Sequence, residues 1–348
     1  MIHPIIFESQ FCIFISEFSE KKIILMNIID DACQLLERSF TPRVTKIFSL
    51  VGFLYVASRA VKSASTMIRS LPLPGYDLAQ RYGVGSWALI VGIDSLGSAL
   101  ALQLAEKNFS LVLIDADPNL LNLTATKINQ KVPEIEIKVI QADFVNSLQN
   151  EFFDQIFAQL GELDISVLVN ATGISRPVGM FHWNSESEIM NALSCNIIPM
   201  TIFTRRLASA MLRRSEKSAI INLSSAAAIY PVPMLGIFSA TKAYIDVLSR
   251  VLDTEAGSKI DVITVRPWNV KSVVSKKSPL KLFEVSSNTL AKSILRSLGR
   301  ESSTAGTFRQ TFQTFIGKAP IIRDYFTHYF YENEQNSNLS KQENILLI

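Results

Sequence analysis

Residues 87 to 115 read WALIVGIDSLGSALALQLAEKNFSLVLID, and two short apolar runs flank an amphipathic one in this stretch. The runs at 87–92 and 110–115 have the length and composition of buried strands, whereas 98–108 has helical spacing. The alternation continues, with strand-like runs at 135–143, 164–173, 218–225 and 260–267 and helical runs that include 118–130, 144–161 and 191–214. This pattern predicts a doubly wound, Rossmann-type α/β domain whose parallel sheet is covered on both faces.

The first strand-to-helix turn, VGIDSLGSA, contains Gly92 and Gly97. A dinucleotide site requires glycines there, because the backbone turns sharply and approaches the pyrophosphate at a helix N-terminus. Asp115 ends the second strand, where a carboxylate can accept hydrogen bonds from the adenosine ribose hydroxyls and would repel a 2′-phosphate. The turn therefore favours NAD(H) over NADP(H). Two glycines alone are a weak signal, and a cap or turn role is the alternative for Asp115.

Composition excludes several function classes. The 348 residues include 34 basic and 31 acidic side chains, a balance that does not indicate nucleic-acid binding. The three cysteines and three histidines are widely scattered. Such spacing predicts neither a disulfide framework nor a metal site, and it suits a reducing compartment.

The N-terminal quarter has its own character. Residues 1–25 interrupt an apolar run with acids, unlike a signal peptide, and are interpreted as a disordered arm or a gene-model extension. Residues 26–79 are expected to be helical. Within them, residues 41–72 carry five basic residues and no acid, around an apolar stretch of about twelve residues that falls short of the ~20 needed to span a bilayer. Interfacial membrane association is favoured over a buried helix or a dimer contact, and a domain boundary is expected near residue 80.

Four ordered motifs carry a family resemblance: the turn at Gly92, VLVNATG at 167–173, INLSS at 221–225 and FSATK at 238–242. Together they resemble the short-chain dehydrogenase/reductase family over about residues 80–310. Within that family the sequence is most similar to the branch of hydroxysteroid dehydrogenases and very-long-chain 3-oxoacyl-CoA reductases. It looks closest to a hydroxysteroid dehydrogenase-like member that is regarded as inactive.

The resemblance implies an active site formed by Asn196, Ser225, residue 238 and Lys242. A serine hydroxyl would bind the substrate oxygen, and a tyrosine would give or take the proton while hydride moves to or from the nicotinamide. The lysine would lower the tyrosine pKa and bind the ribose, and the asparagine would hold a water on the proton path. Position 238 is phenylalanine, which has no ionisable proton. Rescue by Tyr230 or Tyr244 is not expected, because both are poorly placed.

The resemblance also implies cofactor contacts: Asp143 with the adenine amino group, Asn170 and Gly173 in the strand-four motif, and Ser272 near the nicotinamide. Strand-end capping is the alternative for Asp143 and Ser225, and solvation of a helix face is the alternative for Lys242.

Three departures put dinucleotide affinity in doubt. The first turn is one residue shorter than the family pattern, and Leu96 is expected to intrude where the pyrophosphate approaches the backbone. Ala171 replaces the second asparagine of the strand-four motif. Trp268 replaces a glycine after the sixth strand.

These residues lead to the expectation of a membrane-associated, dehydrogenase-like pseudoenzyme of lipid metabolism that still binds NAD(H). An active oxidoreductase on steroid or long-chain acyl substrates and a structural partner protein without nucleotide are the alternatives. The expected partners are a steroid or fatty-acyl ligand, an intracellular membrane of the mitochondrion or endoplasmic reticulum, and a second copy in a homodimer. Substrate recognition is assigned to residues 180–183 and to the segment after 271. Residues 311–348 are expected to form an aromatic tail with a disordered polar end.

Overall fold

The structure, a computed structural model, describes residues 42–71, 74–175, 177–268, 270–271 and 284–317, together with residues 31 and 34. It divides into two compact units, Met1–Ser65 and Thr66–Ile348. The division falls earlier than the boundary expected near residue 80. Ser272 and the expected arm at 1–25 lie outside the described residues.

The second unit contains a parallel sheet. The strands of this sheet are β1 (Trp87–Val91), β2 (Ser110–Asp115), β3 (Ile137–Gln141), β4 (Ile165–Asn170), β5 (Ser218–Leu223), β6 (Ile260–Val265) and β9 (Ser303–Thr304). Two further short strands, β7 (Val270–Lys271) and β8 (Val285–Ser286), form a separate pair, which makes nine strands among the described residues. Seven of them pair in the order β3-β2-β1-β4-β5-β6-β9, all parallel, while β7 pairs only with β8. The predicted doubly wound α/β class is confirmed.

Helices connect the strands. They are α1 (Pro42–Arg69), α2 (Leu78–Tyr82), α3 (Ser95–Ala105), α4 (Pro118–Lys131), α5 (Phe152–Leu160), α6 (Glu186–Asn196), α7 (Ile198–Arg213), α8 (Gly236–Ala256), α9 (Ser287–Ser297) and α10 (Phe308–Gly317). Three short 3₁₀ turns cover Phe144–Asn146, Phe181–Trp183 and Ala226–Ala228. The expected helix over 144–161 is therefore shorter, because a capped 3₁₀ turn occupies its beginning.

The sheet has a separate apolar core on each face. Ile90 and Leu113 point into one core, whereas their neighbours Leu89 and Val112 point into the other. This alternation follows from the two-residue period of a strand. Burying each such side chain contributes about 1.5–3 kcal/mol. The central strands are thus fixed from both sides, so the positions of their carboxyl ends are fixed as well.

The single helix expected over 191–214 is wrong, because the structure has two helices there. α6 ends at Asn196 and α7 begins at Ile198, with Pro199 in its first turn. Proline has no backbone N–H to donate, and its ring clashes with the preceding helical turn, so one continuous helix cannot form. The break leaves Asn196 as the last residue of α6.

The apolar helix α1 is longer than the twelve-residue stretch expected. Lys46–Arg69, 24 residues, is long and apolar enough to cross a membrane, and its apolar window is not buried. The expected stretch of about twelve residues ended at Arg59, but apolar residues continue beyond Arg59 through Val61. By length and composition this segment meets the requirement for a span.

Candidate functional site

The candidate site lies where parallel strands end side by side. The turn between β1 and α3 packs against the loop after β4, and its glycines are required for that contact. A Cβ on Gly92, whose φ is +98°, would lie 2.5 Å from the amide nitrogen of Thr172. A Cβ on Gly97 would lie 2.1 Å from the carbonyl oxygen of Gly92. No other residue fits at either position, so the turn is tightly closed.

Asp94 caps α3 within this turn. Its carboxylate accepts hydrogen bonds from the amides of Leu96 (3.0 Å) and Gly97 (2.7 Å). Desolvation raises the pKa of Asp94, while these amides and the charge of Lys242 oppose the shift. The residue keeps solvent contact. Sequence reasoning missed Asp94, although an aspartate two residues before the first apolar helical position is a capping signal.

The expectation that Leu96 intrudes on the pyrophosphate path is wrong. Its side chain is 4% exposed and packs in the apolar core beneath α3. In a helix, side chains three and four positions apart share a face, so Leu96 joins Ala99 and Leu100 on the buried face. What occupies the helix N-terminus is the carboxylate of Asp94, a polar group rather than an apolar one.

The two acids assigned to the nucleoside end both bind the protein's own backbone. Asp115 accepts from the amides of Ile93 (2.7 Å) and Asp117 (3.1 Å), and thereby joins the first turn to the second. Asp143 accepts from the amide of Val145 (3.0 Å) and caps the 3₁₀ turn. Both carboxylates lie at carboxyl ends of strands, and Asp143 is exposed. Each acid therefore has the structural role that was its alternative, and its nucleotide contact stays a prediction.

Asn196 holds the loop after β4. Its Oδ1 accepts from the amide of Ile174 (2.7 Å), and its Nδ2 donates to the carbonyl of Ile174 and to the hydroxyl of Thr241, both at 3.0 Å. The side chain is fully buried. A Cβ on Gly173, whose φ is +155°, would lie 3.3 Å from Oδ1. Asn196 therefore ties α6, the β4 loop and α8 together.

Asn196, Ile174 and Thr241 are here called the hub, and Lys242 lies next to them. Its Nζ donates to the carbonyl of Leu223 (2.9 Å), and a Cβ on Gly173 would lie 3.0 Å from Nζ. Nζ is 5.6 Å from the centroid of the Phe238 ring, within the range of a cation–π contact. The side chain is 6% exposed, and desolvation lowers its pKa from 10.5 to about 8, opposed by the charge of Asp94. Solvation of a helix face is therefore not its role.

Ser225 and Phe238 lie on different elements of the fold. Ser225 follows β5 and accepts a hydrogen bond from the amide of Ala227 (3.2 Å), so it caps a short 3₁₀ turn. Phe238 stands in the first turn of α8 and is half-buried. Phe238 and Lys242 are four residues apart on α8, and position 238 carries no phenol oxygen.

Neither nearby tyrosine has a free hydroxyl to replace that oxygen. Tyr230 donates to the carbonyl of Thr314 (3.0 Å), and the Tyr244 hydroxyl is 3.0 Å from that of Thr201. Burial also raises the pKa of Tyr230. Both hydroxyls have partners on other elements, which agrees with the expectation that they do not rescue proton transfer.

Asn170 lies in the interior. Its Nδ2 donates to the hydroxyl of Thr204 (3.2 Å) and to Oδ1 of Asn222 (2.8 Å), and Nδ2 of Asn222 donates to Ser249. Among the described residues, Oδ1 of Asn170 has no hydrogen-bond partner. This polar network joins β4 and β5 to α7 and α8. Sequence reasoning missed it, because its members are far apart in the chain.

Trp268 contacts both Tyr230 and α10. The Trp268 ring stacks on Tyr230 with centroids 5.5 Å apart, and its Nε1 donates to the hydroxyl of Thr314 (2.8 Å). The tryptophan that replaces the family's glycine therefore anchors α10 to the loop after β6. Phe181 and Trp183, assigned to substrate recognition, are exposed.

Comparison with known proteins identifies the family. The model for short chain dehydrogenases matches residues 86–281. The very-long-chain 3-oxoacyl-CoA reductase of Anas platyrhynchos is 32% identical over 271 residues, which cover 76% of this chain and 86% of that protein. The chain belongs to the short chain dehydrogenase family. The Homo sapiens very-long-chain 3-oxoacyl-CoA reductase is 31% identical over 268 residues, covering 73% and 84% of the two chains.

Solved structures agree on the fold of this short chain dehydrogenase. A structure described as a 7β-hydroxysteroid dehydrogenase superposes with a TM-score of 0.64 at 21% identity, covering 73% of this chain and 99% of that one. A short-chain dehydrogenase from Sphingobium yanoikuyae in complex with NADPH gives a TM-score of 0.54 at 21% identity, covering 61% and 84% of the two chains.

Short chain dehydrogenases bind NAD(P)(H), and the residues here fit that nucleotide unequally. Lys242 and Gly173 form a compact, positively charged corner suited to a ribose hydroxyl. At the first turn, by contrast, Asp94 already accepts from the amides that begin α3. A ribose beside Lys242 therefore fits, whereas a pyrophosphate at the first turn would compete with the carboxylate of Asp94.

Proposed function

We propose that this short chain dehydrogenase binds NAD(H) but turns over little or no substrate, because Phe238 stands where the reaction needs a proton donor. The observation that carries the proposal is the pair Phe238–Lys242 on α8, with the ring centroid 5.6 Å from Nζ. When bound, the nucleotide would supply or accept a hydride. The chain would still have to supply a proton to the substrate oxygen or take one from it.

Among the described residues, Lys242 and Ser225 are the candidates for that proton transfer, and we assign it to neither. Lys242 has a pKa of about 8 and already donates to a carbonyl of β5. Ser225 carries a hydroxyl that can donate and accept hydrogen bonds, which suits it to hold the substrate oxygen. General acid catalysis commonly contributes ~10² to 10⁴ in rate, which is the size of the loss expected here.

Asp115 supports NADH over NADPH. A carboxylate at the end of β2 can accept from ribose hydroxyls and repels an added phosphate. It already binds the amides of Ile93 and Asp117, but a carboxylate has about four lone-pair sites, so further hydrogen bonds are available to it.

The names of the curated relatives support a ligand class for this chain. The proteins of Anas platyrhynchos and Homo sapiens are named very-long-chain 3-oxoacyl-CoA reductases. We propose that this chain binds long-chain acyl or steroid ketones. The exposed rings of Phe181 and Trp183 offer an apolar surface beside the loop after β4. The apolar segment Lys46–Arg69 supports attachment to an intracellular membrane, where such ligands reside.

The test compares the full-length protein with Phe238→Tyr. NADH and NADPH binding is measured for both, and ketone reduction is assayed with long-chain 3-oxoacyl and steroid substrates. Phe238→Tyr is expected to raise turnover by ~10² or more with little change in NADH affinity. Phe312→Tyr, on the exposed face of α10, is the matched control and should change nothing. Wild-type turnover that equals that of Phe238→Tyr would contradict the impairment.

An active reductase is the second candidate, and the names of the curated relatives favour it. It requires a water or another group in place of the phenol oxygen. In that case the wild-type protein reduces a substrate of the panel at a rate that Lys242→Met abolishes.

A further inference from the structure

A cavity of about 430 Å³ opens in the second unit at the carboxyl ends of α3 and α9. α3 begins beside the candidate nucleotide turn and runs ~16 Å to its other end, where Lys107 follows it. The cavity, here called the α3–α9 cavity, therefore lies at the opposite edge of the sheet from Lys242. It is not part of the candidate functional site.

Three of the eight described residues that line this cavity are basic and one is acidic. Lys107, Lys292 and Arg296 line it, and Glu106 is the acidic residue among the described lining residues. The carboxylate of Glu106 accepts from the side-chain amide of Gln103 (2.9 Å). None of the three basic side chains forms an ion pair or hydrogen bond with another residue that the structure describes. Three cations therefore face one concavity without a partner.

Helix ends explain only part of this charge. Arg296 lies in the last turn of α9 and Lys107 just beyond α3, where cations are favourable beside the helix dipole. Lys292 lies in the middle of α9, where the dipole gives no such benefit. Repulsion among the three is relieved when an anion enters the cavity.

Further basic side chains of the second unit adjoin the α3–α9 cavity. A shallow neighbouring depression shares Arg296 and adds Arg69 and Arg300. Burial raises the pKa of Glu301 in this depression, and Arg69 and Arg300 oppose the shift. Arg69 is the last residue of the apolar segment Lys46–Arg69. Along the chain, the basic side chains thus begin where the apolar segment ends.

The wall of the cavity is close-packed. A Cβ on Gly75 would lie 2.9 Å from Cα of Arg296, so this segment presses directly on α9. The Arg81 guanidinium lies 4.2 Å from the centroid of the Tyr76 ring and holds the same segment from the other side. The concavity is therefore formed by backbone and ring atoms rather than by side-chain tips alone.

We propose that the α3–α9 cavity binds the phosphate of an anionic phospholipid headgroup. The inference rests on the membrane attachment in the proposed function, because a headgroup is the phosphate-bearing group found at the end of an apolar helix in a bilayer. Lys and Arg side chains are suited to phosphate oxygens, and a volume of this size admits a headgroup. Basic residues near a membrane surface contribute about fivefold each to binding of anionic lipid.

The experiment measures flotation of the full-length protein with two kinds of vesicle, phosphatidylcholine alone and phosphatidylcholine mixed with phosphatidylserine. The cavity variant is Lys107→Gln/Lys292→Gln/Arg296→Gln. The matched control, Lys127→Gln/Lys131→Gln/Arg205→Gln, removes the same charge from exposed positions of α4 and α7. The cavity variant should lose about tenfold or more of the preference for phosphatidylserine vesicles, whereas the control keeps it.

Several results would overturn the inference: no preference in the wild type, an unchanged preference in the cavity variant, or an equal loss in the control. A further arm adds inorganic phosphate to the protein in neutral detergent. If phosphate raises the melting temperature in a cavity-dependent way while the phosphatidylserine preference is unaffected, the site binds soluble phosphate and the lipid assignment is wrong. Failure to bind phosphatidylcholine vesicles counts against the apolar helix instead. Cavity-dependent binding to phosphatidylserine would still support the headgroup site.

Discussion

The hub around Asn196 and the turn between β1 and α3 lie at the same edge of the sheet but differ in how their polar groups are used. At the hub, the amide of Asn196 binds Ile174 and Thr241, and Lys242 binds Leu223 nearby. In the turn, Asp94 binds the amides of its own helix. The side chain of Asn196 joins three elements that are distant in sequence, whereas the side chain of Asp94 binds only its own helix.

This difference suggests why some family residues persist and one does not. Asn196 and Lys242 are buried side chains whose loss would leave polar partners unsatisfied in the interior. A phenol oxygen at position 238 would serve chemistry but no contact of the fold, since a phenyl ring fills the same space. Residues with a structural role therefore remain even if turnover is lost.

The largest expected effect is in the turn. In Gly97→Ala the new methyl group would lie 2.1 Å from the carbonyl oxygen of Gly92, a backbone atom that cannot move aside. Overpacking of this kind should lower the free energy of unfolding by ~3 kcal/mol or more. Urea unfolding followed by tryptophan fluorescence measures the loss. Gly236→Ala, which meets nothing within 4 Å, is the control and should be neutral or slightly stabilising.

How much of this could be read from sequence differs between the two regions. Strands β1 to β6 were predictable because each is a short, largely apolar run, whereas the two-residue strands β7, β8 and β9 were not predicted. Within the hub, Asn196 was predicted through motif resemblance, but its bonds to Ile174 and Thr241 were not, because these residues are far from it in the chain. The expectation that Leu96 intrudes on the pyrophosphate was wrong, because it rested on the length of the turn. Helical periodicity places Leu96 on the buried face of α3. The break at Pro199 was available in the sequence and was overlooked.

The second effect concerns Lys242 and pH. Its pKa is about 8 in the folded protein against an ordinary value of 10.5, so the unfolded chain binds more protons between these values. The free-energy penalty for burying the charge has its full value below pH 8 and is relieved as the pH rises from about 8 to 10.5. Relative to Lys242→Met, the wild type should gain up to ~3 kcal/mol of stability from pH 7 to about 10.5.

Urea denaturation of both proteins across this pH range measures that gain, with Lys131→Met as the exposed control. Taking the difference between wild type and variant removes the titration of other groups that the two share. A difference that stays constant with pH would mean that the folded protein holds Lys242 charged throughout, and the hub would then carry a stable positive charge.

A smaller effect is expected for the amide of the hub. Asn196→Ala leaves the amide and carbonyl of Ile174 and the hydroxyl of Thr241 without their buried partner. The free energy of unfolding should fall by ~2 kcal/mol. The control is Asn191→Ala on the same helix, whose side chain makes no hydrogen bond with another described residue, and it should change stability by less than ~0.5 kcal/mol. Equal effects from the two variants would show that Asn196 does not hold the loop after β4.

The smallest effect tests whether Asp115, at the end of β2, still selects between NADH and NADPH. Asp115→Ser removes the carboxylate at the end of β2, so NADH should bind about fivefold to tenfold more weakly, a loss of ~1 kcal/mol, and NADPH should bind relatively better. Asp117→Ser is the control, because Asp117 caps α4 in the next turn through the amides of Asn119 and Leu120. That substitution can affect stability without changing the ratio of the two affinities. If Asp115→Ser also leaves the ratio unchanged, its contacts with Ile93 and Asp117 are the whole role of the carboxylate, and the first turn is structural like the hub.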